Sequence, residues 1–232
     1  MSTVSKIAIT LAAMSLWLGF SATTAEAGSL NVSPTKLEVF SPQQAAALTL
    51  RNMGERPITG QVRVFAWRQE DGEDILEPTE AVVVSPPMID VHPGADYTIR
   101  VVRAASTPVA GEEAYRLVID EVPDAVARRN GVIAVAIRYV IPLFFDSPEA
   151  EQARLAWSLS HVKGKTFLMA RNDGDRRAQL RDVSFGGKPI ARGLAGYVLG
   201  HSESSWELRG KTSADHSVKA VTENGPISGA AD

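Results

Sequence analysis

The stretch VIAVAIRYVIPLFF, Val132 to Phe145, constrains the chain more than any other: fourteen residues carry one charge, Arg138. As a strand rising about 3.3 Å per residue it would reach roughly 46 Å, well beyond the usual five or six residues. Period two separates a bulky face (Ile133, Val135, Ile137, Tyr139, Ile141) from one that begins small (Val132, Ala134, Ala136) and then meets Arg138. Both faces want cover. One reading is a central strand buried inside a sandwich. The other is that one face packs at home while its neighbour is offered to a guest. The run is too short and too β-branched for a membrane helix, and Arg138 and Pro142 interrupt it.

The N-terminus carries an export signature. Lys6 precedes an apolar run from Ile7 to Phe20, followed by small polar residues and the A-x-A pattern Ala25-Glu26-Ala27. Residues 1–27 therefore read as a signal peptide, with a mature chain of about 205 residues beginning near Gly28 and no membrane insertion after removal. A retained anchor is the weaker reading, because the run is short and no stop-transfer flank follows. The whole chain has 24 Lys plus Arg against 27 Asp plus Glu, without a long run of one sign, which argues against nucleic acid as a partner. There are no cysteines, hence no disulfide framework, thiol nucleophile or Cys-ligated metal. Stability must come from an apolar core, and 44% apolar residues suffice for one.

From Leu30 onward the chain reads as short strands separated by turn residues, with almost no helical period. Leu30 to Phe40 predicts an edge strand interrupted at Pro34, where a missing N–H is tolerated. Strands follow over 46–52, 60–68, 81–85, 88–91, 97–103 and 113–122, and the acidic run 70–74 reads as a solvated hairpin turn, lacking the spacing of a calcium loop. This density of strands in about 115 residues is the pattern of an immunoglobulin-like sandwich. Asp146 to Gln152, with three acids and Pro148, is the best linker. The expected division is 28–147 for an N-terminal sandwich ending in the long strand 132–145, and 148–232 for a smaller C-terminal β-sandwich, frayed from Asn224 to Asp232. The fold class is all-β.

Chemical signatures are missing. His92, His161, His201 and His216 show no metal-ligand spacing. Gly164-Lys165-Thr166 resembles the end of a P-loop, but Leu159 stands where the first glycine belongs, so a hairpin turn explains it better. There is no nucleophile elbow or recognisable acid pair. Asn31-Val32-Ser33 matches a glycosylation sequon, as short sequences often do by chance. No enzyme, cofactor or metal is expected. Lys36 on the first strand reads, by itself, as a guard against unwanted edge pairing.

Taken together, these residues resemble the PapD-like periplasmic chaperones of chaperone–usher pilus assembly. The resemblance spans the mature chain and is strongest in its first half. It rests on the order and spacing of Ser33-Pro34-Thr35-Lys36, Pro86-Pro87, His92-Pro93-Gly94, Tyr97-Thr98-Ile99-Arg100, Tyr115-Arg116-Leu117, Glu121-Val122-Pro123 and Pro142-Leu143-Phe144-Phe145. Arg138 to Pro142, with Gly196-Tyr197-Val198-Leu199 and Trp206, looks like the archaic branch that handles spore-coat-U-like subunits.

The resemblance implies two immunoglobulin-like sandwiches in a boomerang arrangement. It also implies donor-strand complementation: the chaperone lends its long strand to a subunit lacking one, then delivers that subunit to an outer-membrane usher without ATP. By position the donated side chains would be Ile133, Val135, Ile137 and Tyr139, while Val132, Ala134 and Ala136 pack at home. Burial of each bulky side chain contributes about 1.5–3 kcal/mol. The family holds the subunit's C-terminal carboxylate with two cleft cations. Lys36 matches the first; the second departs from the pattern, since Pro142 stands where many members carry Lys and Arg138 is the nearest substitute. The absence of a second-domain disulfide is a further departure.

Three other readings compete. A pilus subunit would need a donor extension and often a Cys pair. An exported immunoglobulin-like adhesion or structural module gives no reason for so long an apolar strand. A hydrolase would need a nucleophile or metal frame. An exposed donor edge also invites self-association of the free chain.

Overall fold

Alternation of apolar and polar side chains recurs through the sequence, and every regular element it produces is a strand. The structure, a computed structural model, describes residues 30–122, 136–210 and 213–232, among which there is no helix. The first half supplies β1 (Leu30–Ser33), β2 (Leu37–Phe40), β3 (Ala45–Asn52), β4 (Ile58–Glu70), β5 (Glu73–Pro78), β6 (Val82–Ser85), β7 (Met88–Val91), β8 (Asp96–Arg103), β9 (Glu112–Glu121) and β10 (Arg138–Asp146). They form a four-stranded sheet, β1-β3-β8-β6, facing a six-stranded sheet, β2-β10-β9-β4-β5 with β7 on β4. Alternate residues of both sheets, among them Leu48, Leu50, Ile99, Leu117, Ile119 and Leu143, close one core.

The expected edge strand over 30–40 is an edge twice. β1 pairs antiparallel with β3 in one sheet, and β2 pairs parallel with β10 in the other. The switch falls at Pro34, which follows a cis peptide bond and has no N–H to give to either ladder. The acidic run is the β4–β5 hairpin turn, with Asp71 (φ 52°) and Gly72 (φ 79°) at its two loop positions.

The second half supplies β11 (Leu155–Val162), β12 (Lys165–Asn172), β13 (Ala178–Phe185), β14 (Lys188–Pro189), β15 (Leu194–Val198), β16 (Glu203–Leu208), β17 (Ser217–Thr222) and β18 (Gly225–Ala230). A three-stranded sheet, β11-β12-β16, packs on β14-β13-β17-β18 with β15 on β13. Trp157, Leu168, Leu180, Val183, Phe185 and Val198 form the second core. Gly164-Lys165-Thr166 lies at the β11–β12 hairpin, whose loop residues Lys163 and Gly164 both have positive φ, so this is turn geometry rather than a phosphate loop.

One expectation fails. The segment 224–232 is not frayed: β18 pairs along the whole of β17, Ala231 is buried, and Asp232 N donates to Trp157 O. The small residues that lower its strand propensity are what fit there, since Gly229 leaves only 3.1 Å between a would-be Cβ and the Trp157 ring.

Candidate functional site

Within the long apolar run the described strand is β10, from Arg138; residues 123–135, and with them Val132 to Val135, lie outside the described residues. Along one edge β10 pairs with β9 over its full length, from Arg138↔Asp120 to Asp146↔Glu112. Along the other edge β2 covers only Leu143 to Asp146. Among the described residues no strand pairs with that edge from Arg138 to Pro142, so a backbone ladder stands open next to exposed Val140.

The side chains of β10 divide by face. Ile141, Leu143 and Phe145 enter the first core, and Tyr139 packs against it. Tyr139 was expected among the donated side chains; over this part of the strand the bulky face lies above the sandwich itself and is covered at home. Ala136, expected to pack at home, is exposed. Ile137 is half-buried, and its carbonyl accepts from Glu121 N at 3.0 Å, where β9 ends. Ile133 and Val135 lie outside the described residues.

Between the two sandwiches lies a cleft lined by charge. Lys36, one residue before β2, contacts Glu38 Oε1 at 3.1 Å and donates to Glu223, which sits in the β17–β18 hairpin. Partial burial pulls the Lys36 ammonium down, but its bonds to Glu223 and Glu38 outweigh this and leave its pKa raised. Arg177, directly before β13, is almost wholly buried. Its guanidinium holds Glu38 and Glu112, lies 3.7 Å over the Phe144 ring, and approaches Glu223 Oε2 at 3.7 Å. Its own N–H also donates to Glu112 at 3.0 Å. Burial pushes the Glu112 carboxyl up, against the pull of Arg177. Next to it, Arg176 binds Asp146 at 3.0 Å and the Ser147 carbonyl at 3.1 Å.

Arg138 is elsewhere. It is exposed and bonded to Asp120, whose carboxyl Arg138 and Arg63 hold below its ordinary range. Since Leu143 stands opposite Leu37 in a parallel pair, Lys36 is level with Pro142, and Arg138 lies four residues further along β10, roughly 13 Å away. The structure does not bring the two expected cations together; the basic residue that joins Lys36 is Arg177. A sequence signal for this region existed. Arg51-Asn52-Met53-Gly54-Glu55-Arg56 and Arg171-Asn172-Asp173-Gly174-Asp175-Arg176 repeat one turn in each sandwich, and Arg177 follows the second copy. Among the described residues no cluster of His, Asp or Glu is placed to hold a metal ion.

Comparison with known proteins bears on this arrangement. The family model described as "Pili and flagellar-assembly chaperone, PapD N-terminal domain" matches residues 29–150. The chain belongs to this family. It is a family of chaperones, a non-enzymatic class. No curated protein sequence matches the chain significantly. Among solved structures, a chain of the CsuC–CsuE chaperone–tip adhesion subunit pre-assembly complex of Acinetobacter baumannii, from archaic chaperone–usher Csu pili, has a TM-score of 0.74 at 23% identity, covering 86% of this chain and 97% of that one. A chain of the SafA pilin–SafB chaperone complex of Salmonella enterica gives 0.65 at 21% identity, with 88% and 97% covered. The E. coli chaperone DraB gives 0.61 at 19%, with 88% and 98% covered. These likenesses extend over both sandwiches and establish the two-domain immunoglobulin-like fold of a PapD-like chaperone.

Proposed function

We propose that this PapD-like chaperone works in the periplasm after removal of residues 1–27, capping pilus subunits by strand donation and passing them to an outer-membrane usher without ATP. The observation that carries the reading is the open edge of β10. Its backbone from Arg138 to Pro142 has β9 on one side and no strand on the other among the described residues, and the apolar run continues upstream of it. A guest strand added there gains main-chain hydrogen bonds, while alternate pockets take side chains.

Ile133, Val135 and Ile137 are the donated side chains in this reading. In the period-two pattern of the sequence they continue the face of Tyr139 and Ile141. Three such side chains contribute several kcal/mol before ordering costs, about 1.5–3 kcal/mol each. Lys36 anchors the subunit's C-terminal carboxylate in the cleft. The likeness to the archaic Csu complex, together with Gly196 to Leu199 and Trp206, supports the spore-coat-U-like branch.

Co-expression with the subunit encoded beside its gene tests this. Wild type is expected to yield a soluble one-to-one complex that Val135→Asp or Lys36→Ala weakens. A subunit equally soluble and unbound in all three cases would sink the proposal.

A further inference from the structure

Glu223 reaches two cations of the cleft, Lys36 and Arg177, from the tip of a two-residue hairpin. Its Oε1 accepts from Lys36 of the first sandwich, and its Oε2 lies 3.7 Å from Arg177 Nη2 of the second. One carboxylate of the second sandwich thus reaches both Lys36 and Arg177, as Glu38 of the first does from β2. We propose that Lys36 and Arg177 together form a carboxylate site, that Glu223 fills it in the free chain, and that the terminal carboxylate of an incoming subunit displaces Glu223. This rests on the reading that the chain binds a subunit by its C-terminus.

Several observations favour exchange at Glu223 rather than at its neighbours. The side chains of Glu112 and Asp146 are buried, and each is bound to an arginine at short range. Glu38 lies on β2, whose backbone is held to β10. Glu223, by contrast, stands in the loop closed by the Thr222↔Gly225 pair, and its contact with Arg177 stops beyond hydrogen-bond reach. Arg177 Nε is buried without a hydrogen-bond partner, so the guanidinium keeps a donor that the present ion pairs leave unused. In this cluster Lys36, Arg176 and Arg177 already face Glu38, Glu112, Asp146 and Glu223. With three cations already facing four carboxylates, a fifth added without a departure would raise the excess negative charge from one to two in a partly buried place.

There is also room beside the site. A cavity of about 380 Å³ opens between Leu155 and Trp157 on one side and Arg177, Thr222 and Glu223 on the other. Its apolar wall and charged end suit the last residue of a peptide, with the side chain against Trp157 and the carboxylate toward the cations. An amidated end lacks the charge that would compete with Glu223.

The test uses the full mature chain and a peptide of the last ten residues of the subunit encoded beside its gene, made as free acid and as amide. By calorimetric titration, Glu223→Gln is expected to bind the free acid about tenfold more tightly than wild type, the worth of one charge-assisted hydrogen bond. The amide should bind both proteins alike, and the gain should vanish in Lys36→Ala/Glu223→Gln. Glu223→Asp, with a shorter reach, should fall between wild type and Glu223→Gln. Equal affinity of wild type and Glu223→Gln for the free acid overturns the inference, as does an equal gain for acid and amide. If the intact subunit still binds wild type in those cases, strand donation stands and only the role of Glu223 fails. If neither peptide nor subunit binds any form, both readings fail.

Discussion

Arg103 is 3% exposed, yet it bears a full charge in the first sandwich. It is tolerated because every edge of the guanidinium is used: Nε and Nη2 bond the two Glu113 oxygens at 2.8 and 2.7 Å, and Nη1 bonds the Ala105 and Thr107 carbonyls at 2.9 and 2.6 Å. The Arg103 bonds hold the Glu113 carboxyl below its ordinary range, helped by the Tyr115 hydroxyl at 3.0 Å. A carboxyl whose folded pKa is depressed contributes stability that is present above its unfolded pKa and lost as pH falls through the folded one. Glu113→Gln is therefore expected to cost about 3 kcal/mol at pH 7, since Arg103 stays buried without its counter-charge. Urea titrations from pH 7 to pH 3 should show the difference from wild type shrinking below the ordinary Glu range. A constant difference across that range would refute the assignment. Neither residue stands out in the sequence, where Glu113 is one acid of an alternating strand. Asn52 and Asn172 were more legible in principle: both are fully buried, Asn52 bonds two carbonyls and Asn172 three, and each accepts from the N–H of the glycine two residues on, Gly54 and Gly174. Their shared R-N-x-G-x-R frame was present to be read.

At the level of elements, turn residues and period two located most strands, because both are local. Leu155–Val162, for example, is bounded by the turn chemistry of Lys163-Gly164 and alternates within. β18 escaped because its residues, Gly225-Pro226-Ile227-Ser228-Gly229-Ala230, have poor strand propensity. Its pairing is decided by β17 on one side and Trp157 above, where larger residues would not fit. A chain ended after Asn224 keeps Glu223 but uncovers Trp157. It is expected to show a red-shifted tryptophan emission and a lower Tm, whereas unchanged emission would mean that β18 adds no cover. β10 carries the complementary lesson. Its bulky face is continuous in sequence, yet Tyr139 and Ile141 meet the home core, although Tyr139 was expected among the donated side chains. Periodicity assigns side chains to a face, but only the position of β9 says how far home cover reaches along it.

The whole molecule is held together across the cleft by aromatic and polar contacts. Trp67 of β4, Phe144 of β10 and Tyr197 of β15 pack with centroids 5.4–5.8 Å apart, joined by Leu199. Gln69 bonds the Tyr197 carbonyl at 2.8 Å and accepts from Leu199 N at 2.9 Å, so main chain of the second sandwich is held by a side chain of the first. Arg116 lies 3.4 Å over Trp67. Phe144→Ala removes the central ring and the surface on which Arg177 rests. It is expected to cost about 3–5 kcal/mol and to divide one calorimetric unfolding transition into two. A single transition with an unchanged midpoint would show that the sandwiches are coupled by other contacts.

By itself the sequence determined what depends on near neighbours: the all-β class, the run of strands and hairpin turns, the division into two sandwiches, and the motif order that resembles PapD-like chaperones. The tertiary structure decided what depends on residues far apart in the chain. Lys36 and Glu223 are 187 positions apart, and Arg177 and Glu38 are 139. No periodicity carries such a pairing, because it arises only when two separately folded cores come together and bring a hairpin tip and a strand start into the same cleft. That packing sets the buried Arg177 against Glu38 and Glu223, the partners of Lys36, and leaves Arg138 exposed beside Asp120.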